Sequence, residues 1–202
     1  MRRTVLFVLM ISFLLLSACG GAEKDALNAQ RENWCAAERL CFTVELSADM
    51  ARDEVFTCTL DCEKNAEGLD MCIAAPDIIA GITVHQTAGE TLLRYDGLEV
   101  AVGDLDGTQI APAEAVPLLL EALLRGHLTE LYEEKNEENT IVCAQMYVDE
   151  GIYAIFRFDE HLTPLQGELV SGGHAVATMD FQSFTSEQGV SDNETPDHEN
   201  LG

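Results

Sequence analysis

Between residues 41 and 74, apolar and polar side chains alternate almost without interruption. Phe42, Val44 and Leu46 fall on one parity, and Cys41, Thr43 and Glu45 on the other. Phe56, Cys58, Leu60 and Cys62 alternate with Thr57, Thr59 and Asp61; Leu69, Met71 and Ile73 alternate with Asp70, Cys72 and Ala74. A period of two puts successive side chains on opposite faces of a strand, so each run predicts a strand with one buried face. Turn residues separate the runs, at Ala51-Arg52-Asp53 and over 65–68. Further strands are expected at 82–86, 91–95 and 99–102, with turn signals at Ala88-Gly89-Glu90 and Asp96-Gly97. Short strands at close, regular spacing predict an antiparallel meander.

Two stretches break that period. Residues 26–40 read as a short helix with Leu27, Arg31 and Trp34 on one face at i, i+4 and i+7. In residues 112–125, Leu118, Leu119, Leu120, Leu123 and Leu124 form a wide apolar stripe at helical spacing. Pro117 is read as near the start of that helix, where proline is tolerated, and Gly126 as its stop. Residues 130–139 read as a charged connection, and 103–108 as a turn or loop. Strands follow at 140–148, 152–159, 165–170 and 175–184, and the polar stretch 185–202 reads as a disordered acidic tail. The fold class expected is mainly β with helices (α+β).

The N-terminus carries Arg2 and Arg3, then residues 5–16, apolar but for Ser12, then Leu16-Ser17-Ala18-Cys19. A charged start, a short apolar run and small residues at a cut site make an export signal. The run falls short of the roughly 18 to 20 apolar residues of a spanning helix. Its end resembles the lipobox of bacterial lipoproteins; the bland alternative is an ordinary signal peptide with a chance cysteine. The resemblance implies that residues 1–18 are removed and that Cys19 becomes the acylated first residue. It also implies that 19–25 form a lipidated tether and that the protein sits on the extracytoplasmic face of the cell membrane. Two or more acyl chains anchor a protein stably.

The formal net charge is −25; without Arg2 and Arg3 it becomes −27, with 9 basic residues against 36 acidic ones. Such a surface repels nucleic acid and anionic headgroups, which excludes a DNA- or RNA-binding role. Dense acidic patches at 130–138 and 187–199 suit a solubilising face, calcium, or a basic partner.

After Cys19 come six cysteines: Cys35, Cys41, Cys58, Cys62, Cys72 and Cys143. In an exported chain an even count suggests disulfides. Strand parity places Cys58 and Cys62 on the apolar face and Cys41 and Cys72 on the polar one. Cys58 and Cys62 would lie roughly 13 Å apart along one strand, and Cys41 and Cys72 about 10 Å apart across two strand spacings. Both exceed the reach of about 7 Å between Cα atoms. Cys35 is then the candidate partner for Cys58 or Cys62, and free buried thiols are the equal alternative.

Catalytic and metal motifs are weak. Ser171-Gly172-Gly173-His174 has the residue types of a nucleophile elbow without its spacing, and reads as a hairpin turn. His85, His127, His161 and His174 are scattered singly. Asp104-Leu105-Asp106-Gly107 echoes part of a calcium loop, but its glycine comes too early and no glutamate stands at position 12. No paired C-x-x-C suggests zinc. No catalytic residue, metal or cofactor is assigned, and the chain is expected not to be an enzyme.

Several stretches resemble the LolA-like lipoprotein-carrier superfamily: Ala75-Pro-Asp-Ile-Ile-Ala-Gly-Ile-Thr-Val, then Thr91-Leu-Leu-Arg-Tyr-Asp-Gly-Leu, then 112–126, then Asp159, Pro164 and the strand closing at Phe184. The resemblance covers nearly all of residues 26–184. It implies an incomplete β-barrel, a curled antiparallel sheet around an apolar concavity with a helical lid. The expected function is then binding of a lipid or a lipoprotein acyl chain. The concave surface would comprise Phe42, Val44, Leu46, Phe56, Leu60, Met71, Ile73, Leu119 and Leu123. These residues equally suit a filled core, in which case a protein-interaction or regulatory role, docking an envelope partner through the acidic surface, becomes the alternative.

Overall fold

The computed structural model describes residues 19–49, 54–88, 90–102, 112–135 and 139–189. The described residues begin with helix α1 (Cys19–Ala36) and continue through six strands: β1 (Arg39–Asp49), β2 (Val55–Lys64), β3 (Leu69–Ala75), β4 (Thr83–Gln86), β5 (Thr91–Tyr95) and β6 (Leu98–Val102). Helix α2 (Pro112–Arg125) follows. Then come β7 (His127–Lys135), β8 (Thr140–Asp149), β9 (Ile152–Phe158), β10 (Pro164–Ser171) and β11 (His174–Glu187).

The eleven strands of the described residues form one antiparallel sheet in the order β6-β5-β4-β3-β2-β1-β11-β10-β9-β8-β7. Two meanders therefore meet at the β1–β11 pair, and α2 joins the two outermost strands. The sheet does not close, because β6 and β7 end the order. The antiparallel meander is the one expected from the alternation, and the open sheet with helical cover is the one the resemblance implied.

Cross-strand partners share a face, so the register assembles the apolar parities into rows. Phe184, Phe42, Cys62, Met71, Val84, Leu93 and Val100 follow one another across β11, β1 and β2–β6. A second row runs Cys58, Leu46, Met179, Gly167, Phe156, Ala144, Leu131. Both helices lie against this inner face. Helix α2 packs on β1, on β8–β11 and on α1. Its Leu119 and Leu123 are fully buried with Phe156, Phe158, Val44 and Leu46. Leu27 and Trp34 of α1 join the same core, and the Trp34 ring meets Phe184 edge-on at 5.2 Å and stacks on Phe158 at 6.4 Å. Gly167 leaves room between the sheet and α2: a Cβ there would sit 2.7 Å from the Phe156 ring and 3.6 Å from Leu119.

Turn chemistry matches the hairpins. Asp96 and Gly97 have φ of 48° and 77°, and Gly172 and Gly173 of 59° and 83°. Two successive left-handed residues are what a tight hairpin turn requires, so Ser171–His174 is a turn. The Asn65 side chain accepts from the amides of Glu67 and Gly68 at the β2–β3 bend.

The structure differs from several sequence expectations. Helix α1 begins at Cys19, so residues 20–25 are helical; Ala22, Glu23, Lys24 and Ala26 are adequate helix formers. It stops at Ala36, and Leu40 belongs to β1. Pro117 lies in the second turn of α2, not the first. Residues 130–135, read as a connection, belong to β7. Its charges are those of a sheet edge, whose outward side chains stay in water. Thr185, Ser186 and Glu187, assigned to the tail, pair with Cys41, Leu40 and Arg39. The signal stretch 1–18, the turns at 51–53 and Gly89, the 103–108 loop with its calcium-like sequence, and tail residues 190–202 lie outside the described residues.

No disulfide joins the described cysteines: Cys35, Cys41, Cys58, Cys62, Cys72 and Cys143 are all free thiols. Cys35 points its thiol at the Leu124 carbonyl of α2, 3.5 Å away, so it links the two helices and not helix to sheet. Parity placed the others correctly: Cys58 and Cys62 are buried in the core and Cys41 and Cys72 are half-buried on the outer face.

Candidate functional site

The nine residues singled out for the concave surface do converge. Phe42, Val44, Leu46, Leu60 and Met71 on the sheet, and Leu119 and Leu123 on α2, are buried in a single core; Phe56 and Ile73 pack half-buried against it. In this structure the first seven pack into that core together, and that part of the inner face is filled by protein.

The open space lies beside them. A groove of about 720 Å³ runs between α2 and the β2–β3 bend with the end of β4. Pro117, Leu118, Leu120, Glu121 and Leu124 form one wall, and Gly68, Leu69, Gln86 and Thr87 the other. The volume falls in the range of about 300–1,000 Å³ common to small-molecule sites. Leu69, Leu120 and Leu124 belong both to this lining and to the core. The groove is thus a break in the seam between helix and sheet, floored by core side chains. None of the nine expected residues lines it. Gly68 is needed at its edge, since a Cβ there would stand 2.4 Å from the Gln86 carbonyl oxygen.

Farther along the inner face the helical cover ends. Leu93 is half-buried, while Tyr95, Leu98 and Val100, on the same parity, are 48%, 70% and 57% exposed. An apolar face continuous with the core is therefore open to solvent over β5 and β6.

The C-terminal end of α2 is held by a buried cation. Arg31 donates from Nε to the Leu123 carbonyl at 2.7 Å and from Nη2 to the Gly126 carbonyl at 2.6 Å. It also reaches Asn28 Oδ1 at 3.4 Å. These carbonyls have no partner within the helix, and a guanidinium at a helix C-terminus also meets the negative end of its dipole. Burial holds the Arg31 pKa below the usual arginine range. Gly126 completes the stop; its amide donates to the Ala122 carbonyl, and a Cβ would lie 2.5 Å from that same oxygen. A charged residue on the apolar face of α1 was the sequence signal for this arrangement.

On the outer face a polar ladder crosses β9–β11. Arg157 Nη1 donates to Gln166 Oε1 and to Glu168 Oε1, each at 2.5 Å, and Gln166 Nε2 donates to Asp180 Oδ1 at 2.6 Å. His85 contacts Asp70 at 2.7 Å. Among the described residues no group of three or more His, Cys, Asp and Glu is placed to hold a metal ion, and no helix is long and apolar enough to cross a membrane.

An open antiparallel sheet with helices on its inner face, a groove at the seam and an uncovered apolar margin defines the class: a half-open β-sheet domain with a lid. No protein-family model and no curated protein matches the chain. Solved structures do resemble it. One is an uncharacterized conserved protein from Thermus thermophilus (11% identity, TM-score 0.49, covering 83% of this chain and 89% of that one). Another is a LolA superfamily protein from Nitrosomonas europaea (10%, 0.44, 84% and 94%), and a third is the lipoprotein LppX of Mycobacterium tuberculosis (10%, 0.41, 82% and 98%). One of these neighbours carries the superfamily name to which the sequence resemblance pointed. With TM-scores below 0.5, none of them assigns a role to a residue here.

Proposed function

We propose that this chain is a lipid-anchored envelope protein that binds an acyl chain, of a lipid or a lipoprotein, between α2 and the sheet. The observation that carries the reading is the groove of about 720 Å³ floored by Leu69, Leu120 and Leu124. An acyl chain entering there meets apolar side chains at once, and removing apolar surface from water contributes about 25 cal/mol per Å². Seating it deeper, along Phe42, Val44, Leu46, Leu60, Met71, Leu119 and Leu123, requires α2 to shift outward. Phe56 and Ile73 flank that path. Binding and not catalysis is the role read here. Cys19, the first residue of α1, is the proposed acylated residue, which puts the domain at the outer face of the cell membrane.

The test is titration of delipidated protein with a fluorescent fatty acid, with native mass spectrometry of the protein as purified. Uptake that weakens by about tenfold or more in Leu118→Glu, which sets a charge in the groove wall, is the expected result. A protein that purifies empty and takes up no fatty acid overturns the reading.

A second reading has one observation of its own. Strand β7 is an open sheet edge carrying exposed Glu130, Glu133 and Glu134, a surface suited to a basic envelope partner. Crosslinking to one dominant neighbour, lost as salt is raised, would support it; a salt-insensitive neighbour would not.

A further inference from the structure

A second groove, of about 460 Å³, lies between α1 and the α2–β7 junction. Its lining includes Lys24, Arg31, Arg125 and His127, against a single carboxylate, Glu32. The chain from Cys19 onward has 9 Lys and Arg residues against 36 Asp and Glu. Three of the nine meet in this groove, which reverses the charge balance of the molecule.

Each cation there has capacity to spare. Lys24 is exposed and has no hydrogen bond or ion pair among the described residues. Among the described residues Arg125 pairs only with Glu121, 3.4 Å away in an exposed i,i+4 contact, and such pairs contribute little and yield readily to a stronger acceptor. Arg31 uses three of its five N–H groups, all on neutral acceptors. One N–H on each terminal nitrogen remains, in a side chain only 8% exposed. A buried guanidinium that, among the described residues, hydrogen-bonds no carboxylate, in a chain with so many, is a cation still lacking its anion.

We infer that this groove binds a phosphate group, with Lys24, Arg31 and Arg125 as its ligands. Two forked guanidinium groups suit the planar, bidentate recognition of phosphate oxygens, and a lysine adds a point charge. The imidazole of His127 in the same lining has an N–H that would add a fourth donor. The phosphate is that of a lipid headgroup or a free anion. Leu124 and Arg125 line both grooves, so a phospholipid could place its phosphate here and its tail across the α2 terminus. The phosphate site itself stands without the acyl-chain reading.

The test uses the full chain carrying Cys19→Ala, so that no lipid anchor obscures the result, and the same chain with Lys24→Gln and Arg125→Gln added. Both added substitutions fall on exposed side chains, so thermal unfolding should be unchanged. Inorganic phosphate is titrated by calorimetry at low salt, and phosphatidylglycerol vesicles are tested by flotation. Phosphate binding weakened about tenfold or more by the two substitutions identifies a free-anion site. Vesicle binding abolished by them, with no response to inorganic phosphate, identifies a headgroup site. Absence of both, or binding that the substitutions leave untouched, overturns the inference.

Discussion

Strands β9 and β6 carry the same kind of alternation and meet different fates. In β9, Ala154, Phe156 and Phe158 are wholly buried. In β6, Leu98 and Val100 point to the same side of the sheet and are more than half exposed. The strands differ in what lies over them: α2 packs on β1 and β8–β11, whereas β5 and β6 have little helix above. Alternation fixes which face a residue takes, and the placement of one 14-residue helix decides whether that face is core or left open to solvent. The molecule is thus two half-sheets, one finished as a core and one left with its apolar face available.

The strongest test of that contrast is truncation on either side of it. Leu119→Ala or Leu123→Ala removes fully buried volume and should lower unfolding stability by about 2–5 kcal/mol. Val100→Ala should change it by no more than about 0.5 kcal/mol. Urea denaturation measures both, and equal losses would mean that the β6 margin is as well packed as the core.

Next in size is a pH effect from thiols buried in the core. Burial pushes the Cys58 thiol from its ordinary 9.0 to about 11, and Cys62 is pushed up further. A raised thiol pKa favours the neutral, folded form. The contribution is complete below about pH 9 and is lost as pH climbs towards 11, because the unfolded chain ionises first. Two pKa units correspond to about 2–3 kcal/mol. Urea midpoints should therefore fall between about pH 8 and pH 10.5, and fall less in Cys58→Ala. In the folded protein at about pH 8, iodoacetamide should label the exposed Cys35 well before Cys58 or Cys62.

Arg31→Met retains much of the side-chain volume but leaves the Leu123 and Gly126 carbonyls without their charged donor. The expected cost is about 1.5–3 kcal/mol. Hydrogen exchange should rise first in the last turn of α2, loosening the lid where both grooves begin. The smallest effect expected is that of Leu98→Lys. It should leave stability within about 0.5 kcal/mol of the parent and reduce self-association at the open edge, read by light scattering.

Much of this was legible in the sequence because it is local. The parity of Phe42, Val44 and Leu46 is written in adjacent residues, and Asp96-Gly97 and Gly172-Gly173 encode their own turns. Strand β7 was hidden because an edge strand needs no apolar outward face, and Glu130, Glu133 and Glu134 looked like linker. The grooves were hidden for a different reason. They are gaps between α2 and elements far from it in sequence, at Leu69 and Gln86 on one side and Lys24 on the other, and no spacing rule reports a gap. Arg31 was visible as a charge on an apolar helix face; its purpose, holding carbonyls 92 and 95 positions away, was not.

The pairing of β1 with β11 sets a condition on assembly. Thr43 and Ser183 are hydrogen-bonded partners 140 positions apart, so the centre of the sheet is zipped from the two extremes of the domain. Until β11 emerges, β1 and β10 both present raw strand edges, and Phe42 and Trp34 lack the Phe184 ring between them. Such long-range closure makes folding slow and leaves intermediates prone to aggregation. A chain that reaches its folding compartment N-terminus first would stay unsealed until its last strand arrived, and would depend on holdase protection until then.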